Sequence, residues 1–226
     1  MRYNIIDNIK GIAFILMILH HILYIYDVTF YTNYSNNDII QISGFTARHL
    51  FLLIVGMSLI YSYKNNKSNF YKKRINNSFK ILLHALLITL ITYYYYPNKF
   101  IRFGILHSIA IMTLLLSSII KYDKYYEIIL LIFIILNYIE IPSINNHIDL
   151  ILGQVMPNYN MIDWFPILKC LPVVLSGMIF ANKIDLTNFN HINNNILSFI
   201  GKNCLELYTL HLYILIILYN TIKSIY

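Results

Sequence analysis

Apolar runs of about twenty residues recur from one end of this chain to the other, the length a helix needs to cross a hydrocarbon core. Seven can be marked, at approximately 9–28, 46–63, 77–96, 103–120, 125–142, 166–182 and 204–222. Backbone groups inside hydrocarbon must be satisfied within their own segment, so each run is expected as a helix. The loops between them are mostly short, which makes sequence neighbours antiparallel neighbours in space. No linker is long enough to separate a second domain. The predicted fold class is therefore all-α: a polytopic membrane helix bundle of about seven transmembrane helices, one domain over residues 1–226. Charged residues make up only 12% of the chain, about half the fraction of a soluble domain. The first run is followed by no small-residue cleavage site, so it is expected as a retained helix rather than a signal peptide.

A net charge of +7 would in a soluble protein suggest nucleic acid. In a membrane protein it fits loops held against an anionic leaflet, so the expected partner is the lipid bilayer and not nucleic acid. Sorting the 17 Lys and Arg residues by side gives a clear bias. Arg2, Lys10, Lys64, Lys67, Lys72, Lys73, Arg74, Lys80, Lys121, Lys124, Lys183 and Lys202 fall with the N-terminus. Arg48, Lys99, Arg102, Lys169 and Lys223 fall opposite. The positive-inside rule then predicts a cytoplasmic N-terminus and a C-terminus outside or in a lumen. Cys170 and Cys204 both lie in apolar segments and read as packing residues. The Asn33-Tyr34-Ser35 sequon matters only if the chain enters a eukaryotic secretory membrane.

In that topology the ionisable residues gather on the non-cytoplasmic side. His20 and His21 lie in the outer half of the first run. Asp38, Arg48 and His49 precede or open the second. Arg102 and His107 open the fourth, Asp163, Trp164 and Lys169 lead into the sixth, and His211 sits near the middle of the seventh. Ionisable groups within membrane helices are rare and usually face a protein interior, so this clustering is a site hypothesis. On the first helix Asp7, Lys10, Gly11, Phe14, Met17 and His21 fall within a stripe of about 120°. His20 points away from it, so the stripe favours His21 over His20. Cys204, Tyr208 and His211 form a comparable stripe on the last helix. Taken singly, each residue has a plainer reading: a packed histidine, a snorkelling Arg102, an aromatic belt at Tyr93–Tyr96. Four coincident positions on one side favour a site.

An imidazole in such a site suits general-base work or transient acyl transfer. A neighbouring Arg or Lys could hold a carboxylate or stabilise an oxyanion. His21, His107 and His211 would be enough to ligate zinc, which spacing alone leaves open. No GxSxG nucleophile motif is present.

Five segments carry a resemblance. "IDNIKGIAFILMILHHILYIYD" resembles the first helix of the heparan-alpha-glucosaminide N-acetyltransferase-like family, where an acid and Arg-Gly precede a Met-rich helix ending in His. "HLFLLIVGMSLIYSY" looks like its second helix. "FIRFGILHSIAI" is similar to its Arg-Phe-Gly-Ile-Leu segment, and "IDWFPILKCLPVVLSGMIFAN" to its Asp-Tyr-Phe-Pro entry. "IGKNCLELYTLHLYIL" resembles its closing Gly-Arg-Asn-Ser…Tyr…His helix.

The resemblance implies a membrane acyltransferase that moves an acetyl group from cytoplasmic acetyl-CoA to an amine or hydroxyl acceptor, of a small molecule or glycan, on the far side. No metal is expected. By matching position, His21 takes the base or acyl-transfer role, with Arg102, His107, Asp163 and His211 lining the site. Asp7 and Lys10 would stand at its inner end. His20, Asp38, Arg48, Trp164 and Lys169 are further candidates for contacting substrate, and Lys72, Lys73 and Arg74 for the phosphates of the donor. The chain departs from the family pattern at Lys10 (Arg in the family), Ile25 (an acid) and Leu212 (Gln). Two other readings compete. One is an acyltransferase-3-like O-acyltransferase of surface glycans, which usually has about ten helices. The other is a non-catalytic membrane protein or transporter, for which inverted repeats should be visible and are not.

Overall fold

The computed structural model describes residues 3–30, 38–139, 142, 145–153, 157–186 and 194–225; the Asn33-Tyr34-Ser35 sequon lies outside them. In chain order the helices are α1 (Asn4–Phe30), α2 (Asp38–Asn65), α3 (Phe70–Tyr95), α4 (Ile105–Ser118), α5 (Tyr126–Tyr138), α6 (Asn146–Ile151), α7 (Ile167–Lys183), α8 (Asn195–Lys202) and α9 (Cys204–Ile225). No strand occurs among the described residues. Phe103 and Trp164 form a single parallel bridge.

Each expected run contains a helix, but not every helix has the length of a span. Four do so by length and composition: Asn4–Asp27, Asp38–Asn65, Phe70–Tyr95 and Cys204–Ser224. A fifth is added if Ile105–Ser118 and Asp123–Tyr138, bent by 115° at their junction, count as one. With 14 residues in α4 and 13 in α5, each alone reaches only about 20 Å at 1.5 Å per residue, against roughly 30 Å of hydrocarbon. α7 has 17 residues. The structure thus supports four or five spans, where the hydropathy runs suggested seven. Runs of apolar sequence overestimate span length here because they include the extended and turn residues at each helix end.

The outward faces also identify the solvent. Ile12, Ile15, Leu19 and Ile22 of α1, Leu83, Leu86 and Leu90 of α3, and Leu210, Ile214 and Leu218 of α9 are all exposed. Rows of bare aliphatic side chains on helices of this length are a liability in water and a requirement in lipid. The chain is a multi-pass membrane protein.

The chain forms two compact units. One comprises residues 1–51 and 186–226, the other residues 52–185. In the first, α1 packs against α8 and α9. α8 comes close because two glycines meet backbone across the contact: a Cβ on Gly11 would overlap the Leu197 carbonyl, and one on Gly201 the Asp7 carbonyl. Small residues at such crossings let membrane helices approach and gain dispersion contacts. Asn194 caps α8, its side chain accepting from the N–H groups of Ile196 and Leu197 at 3.1 Å each and so satisfying two donors that the helix start leaves open.

In the second unit α3 packs on α4, and α7 on α5 and α4. Gly56 of α2 and Gly177 of α7 each face the other helix's backbone, Val174 and Leu53 respectively. The end of α7 is held by the Tyr61 hydroxyl donating to Ile184 O (2.8 Å) and Lys64 Nζ to Ala181 O (3.0 Å). Pro172 lies inside α7, and its missing N–H deprives the carbonyl four residues earlier of a helical donor. That carbonyl, Leu168 O, receives Asn137 Nδ2 of α5 at 2.9 Å. A helix defect is thereby turned into an interhelical bond.

Candidate functional site

The stripe on α1 is the face that packs. Asp7, Gly11, Phe14 and Met17 are buried, Asp7 to 2% exposure and Phe14 to 4%. Lys10 and His21 on the same face are half-buried. Asp7 and Lys10 form an i,i+3 ion pair at 3.9 Å. On α9 the corresponding stripe holds Cys204, Tyr208 and His211, with Tyr208 and His211 buried.

These two stripes bring two imidazoles together. His21 Nδ1 lies 3.0 Å from His211 Nε2. The ring planes differ by only 11° with centroids 5.3 Å apart, so the rings meet edge to edge and the shared hydrogen lies near both planes, where such a bond is strongest. The far nitrogen of His211, Nδ1, donates to Leu207 O at 3.3 Å, one turn back on α9. Phe14 and Tyr208 stand edge-on to the His211 ring at 5.4 and 5.2 Å. His21 Nε2 has no hydrogen-bond partner among the described residues.

His20, one residue earlier, faces α2 instead. Its Nδ1 donates to Ile40 O (3.0 Å), a carbonyl that also accepts from Ser43 Oγ (2.7 Å). The His20 ring occupies the space that a Cβ on Gly44 would need. Asp38 is exposed in the first turn of α2. Arg48 lies over the Phe45 ring at 5.2 Å, and His49 Nδ1 donates to Phe45 O at 2.7 Å, so both keep to their own helix.

In the second unit, two of the quoted motifs pair with each other. The segment before α4 and the segment before α7 run parallel, with Ile162 N–H donating to Lys99 O (3.0 Å) and Phe165 N–H to Phe103 O (3.0 Å). Ser108 Oγ also donates to Phe165 O. This junction carries Arg102, Asp163 and Trp164. The Arg102 guanidinium lies against two rings, 4.0 Å from the Phe100 centroid and 4.7 Å from that of Tyr159. Its buried Nε has no hydrogen-bond partner among the described residues. Asp163 Oδ2 lies 3.5 Å from where a Gly104 Cβ would stand, beside the N-cap of α4. Trp164 Nε1 donates to Leu150 O (2.9 Å), and Lys169 Nζ sits 4.8 Å from the Trp164 ring centroid.

His107 is buried at this junction, and its two nitrogens are both engaged. Nδ1 accepts the Gly104 N–H at 3.3 Å, closing the first turn of α4. Nε2 faces Thr89 Oγ1 at 3.4 Å, whose own hydrogen goes to Ile101 O at 2.9 Å.

At the start of α3, Asn69, Lys72, Lys73, Asn76 and Asn77 line a recess of about 270 Å³. Its side chains are two ammonium groups and three amides, a set that suits an anion. Arg74 turns inward, 9% exposed and over the Phe70 ring at 5.8 Å.

Among the described residues no group of three or more His, Cys, Asp or Glu could hold a metal ion. Among the described residues neither Cys170 nor Cys204 forms a disulfide. Of the residues singled out from sequence, the fold joins His21 to His211, and Arg102 to the junction of Asp163, Trp164 and His107. It turns His20 to α2, and Arg48 and Arg74 to rings of their own helices. Sequence reasoning missed Tyr159, which lies in an irregular segment with no periodic signal, and Thr89, a small polar residue inside an apolar helix. Phe100 could have been found, two residues before Arg102 in the same short motif.

Neither a curated protein nor a solved structure matches the chain. The family model for the catalytic region of heparan-alpha-glucosaminide N-acetyltransferase matches residues 2–213, nearly the whole chain, and reaches from the acid of α1 past the histidine of α9. The chain belongs to the heparan-alpha-glucosaminide N-acetyltransferase catalytic family.

Proposed function

We propose that this protein is an integral-membrane acetyltransferase that moves an acetyl group from acetyl-CoA on the cytoplasmic side to an amine or hydroxyl, of a sugar or similar small molecule, on the opposite side. The reading takes the N-terminus as cytoplasmic and α4, α5 and α7 as short crossings, which the lysines at Lys121, Lys124 and Lys183 favour by their side. The observation that carries it is the imidazole of His21, held on one nitrogen by His211 and, among the described residues, unpartnered on the other, in a chain of a transferase family.

His21 Nε2 takes the proton of the acceptor as the acceptor's nitrogen or oxygen bonds to the acetyl carbonyl carbon. The carbon–sulfur bond breaks, and the same proton leaves with the thiol, so the products are the acetylated acceptor and CoA. Acyl transfer through His21 itself would need the same bare nitrogen. Arg102, resting against the Phe100 and Tyr159 rings, keeps N–H groups that suit an oxygen of a bound ligand. Asp163 and Trp164 line that junction with it. His107 supports it by holding the first turn of α4. Lys72 and Lys73 bind donor phosphates through charge and hydrogen bonds, a role to which the amide-lined recess around them is suited. Ile25 stands where the family pattern has an acid, and His211 serves His21 in its place.

The test is thiol release. Bilayers containing the protein should liberate CoA from acetyl-CoA when given an amino sugar, and His21→Ala should abolish it. Equal rates in the variant and the parent would remove His21 from the chemistry.

A further inference from the structure

Two hydrogen bonds at the α1–α9 contact determine where the protons of both imidazoles sit. A carbonyl oxygen can only accept, so the bond to Leu207 O places a hydrogen on His211 Nδ1. A neutral imidazole carries one N–H, which leaves His211 Nε2 as an acceptor. The 3.0 Å contact to His21 Nδ1 must then be filled by a hydrogen on His21. His21 is therefore Nδ1–H, and its Nε2 is a bare lone pair. We propose that His211 is a positioning residue which, read from the Leu207 carbonyl, fixes His21 in the Nδ1–H tautomer and so keeps Nε2 free to act as the base. The proposal deepens the acetyltransferase reading and rests on it for its catalytic meaning.

The lock matters because a free imidazole favours the opposite tautomer, with the proton on Nε2. Left alone, His21 would present an N–H where the acceptor's proton must arrive. The surroundings hold the lock in place. Phe14 and Tyr208 stand edge-on to His211, and the near-coplanar rings leave little room for either to rotate without losing the bond. When His21 takes a proton at Nε2, its Nδ1–H bond to His211 becomes charge-assisted and shortens the path to the imidazolium. The role parallels that of the acid in a catalytic triad, which fixes a tautomer and steadies the charged ring. Here it is performed by a neutral partner that takes its own orientation from the backbone.

Two variants separate acceptor from shape. His211→Phe keeps a flat ring between Phe14 and Tyr208 and removes both nitrogens. His211→Gln places an amide oxygen within reach of His21 Nδ1. With the full chain in lipid bilayers, His211→Phe should lower kcat about 10- to 100-fold with little change in KM for acetyl-CoA, and His211→Gln should restore most of it. Independently of turnover, nitrogen NMR of ¹⁵N-histidine protein, assigned by loss of signal in His21→Gln, should show His21 protonated on Nδ1. In His211→Phe the proton should move to Nε2. A parent His21 protonated on Nε2, or an unchanged tautomer in His211→Phe, overturns the proposal. Absence of acetyltransferase activity in the parent sinks the acetyltransferase reading instead, while the spectrum still decides the tautomer. If His211→Phe fails to fold, the parent spectrum and His211→Gln carry the decision.

Discussion

His21 and His107 are both imidazoles on apolar helices, yet the fold treats them oppositely. His107 is buried to 7% exposure and both its nitrogens are engaged, one by the Gly104 N–H and one by Thr89. His21 is half-buried and, among the described residues, engaged on one nitrogen only. A histidine with both nitrogens satisfied by its own scaffold is a structural cross-link, since any proton it exchanges breaks a bond that holds a helix end. One with a fixed and a bare nitrogen is a poised base. The difference lies in what surrounds each ring.

The comparison breaks most sharply on activity. Removing His21 should cost about 10²–10⁴-fold in turnover, with the thermal unfolding of detergent-solubilised protein little changed. His107→Ala should do the reverse. It strands the Gly104 N–H and Thr89 in a buried place, a loss on the order of 1–3 kcal/mol, seen as a lower melting temperature with turnover per folded molecule within a few-fold of the parent. A His107→Ala protein that melts normally but does not turn over would erase the distinction drawn here.

What could be read in the sequence follows the same division. The packing faces of α1 and α9 were legible because helical geometry projects every third or fourth residue onto one face. Asp7, Phe14, Met17, Tyr208 and His211 are buried where that spacing puts them. The choice of His21 over His20 followed the same geometry, and His20 does turn to α2. The pairing of His21 with His211 could not be read, since it joins residues 190 positions apart and depends on how two helices are rotated against each other. That Gly104 and Thr89 engage both nitrogens of His107 could not be read either, because periodicity cannot see hydrogen-bond partners. Its capping of Gly104 is a local event three residues long that the apolar run conceals. α6 and α8 escaped notice for a related reason. Six and eight residues are too few for periodicity to stand out, and α8 owes its place to the glycine contacts with α1.

The smallest effect concerns the basic run at the start of α3, where neighbouring cations again divide by environment. Arg74 is drawn inward over Phe70, so its substitution tests packing. Lys72 and Lys73 line an open recess with Asn69, Asn76 and Asn77, so theirs tests ligand charge. Exposed ammonium groups interact weakly through water, each contributing about 0.2–1 kcal/mol at moderate salt. The Lys72→Ala/Lys73→Ala double variant should therefore raise KM for acetyl-CoA only a few-fold and leave kcat alone, as expected for groups that bind the donor equally before and during reaction. Added salt should raise KM of the parent toward that of the variant, because screening removes the same attraction. If the variant and parent keep the same KM at low salt, the lysines serve the membrane surface and the recess has no part in binding the donor.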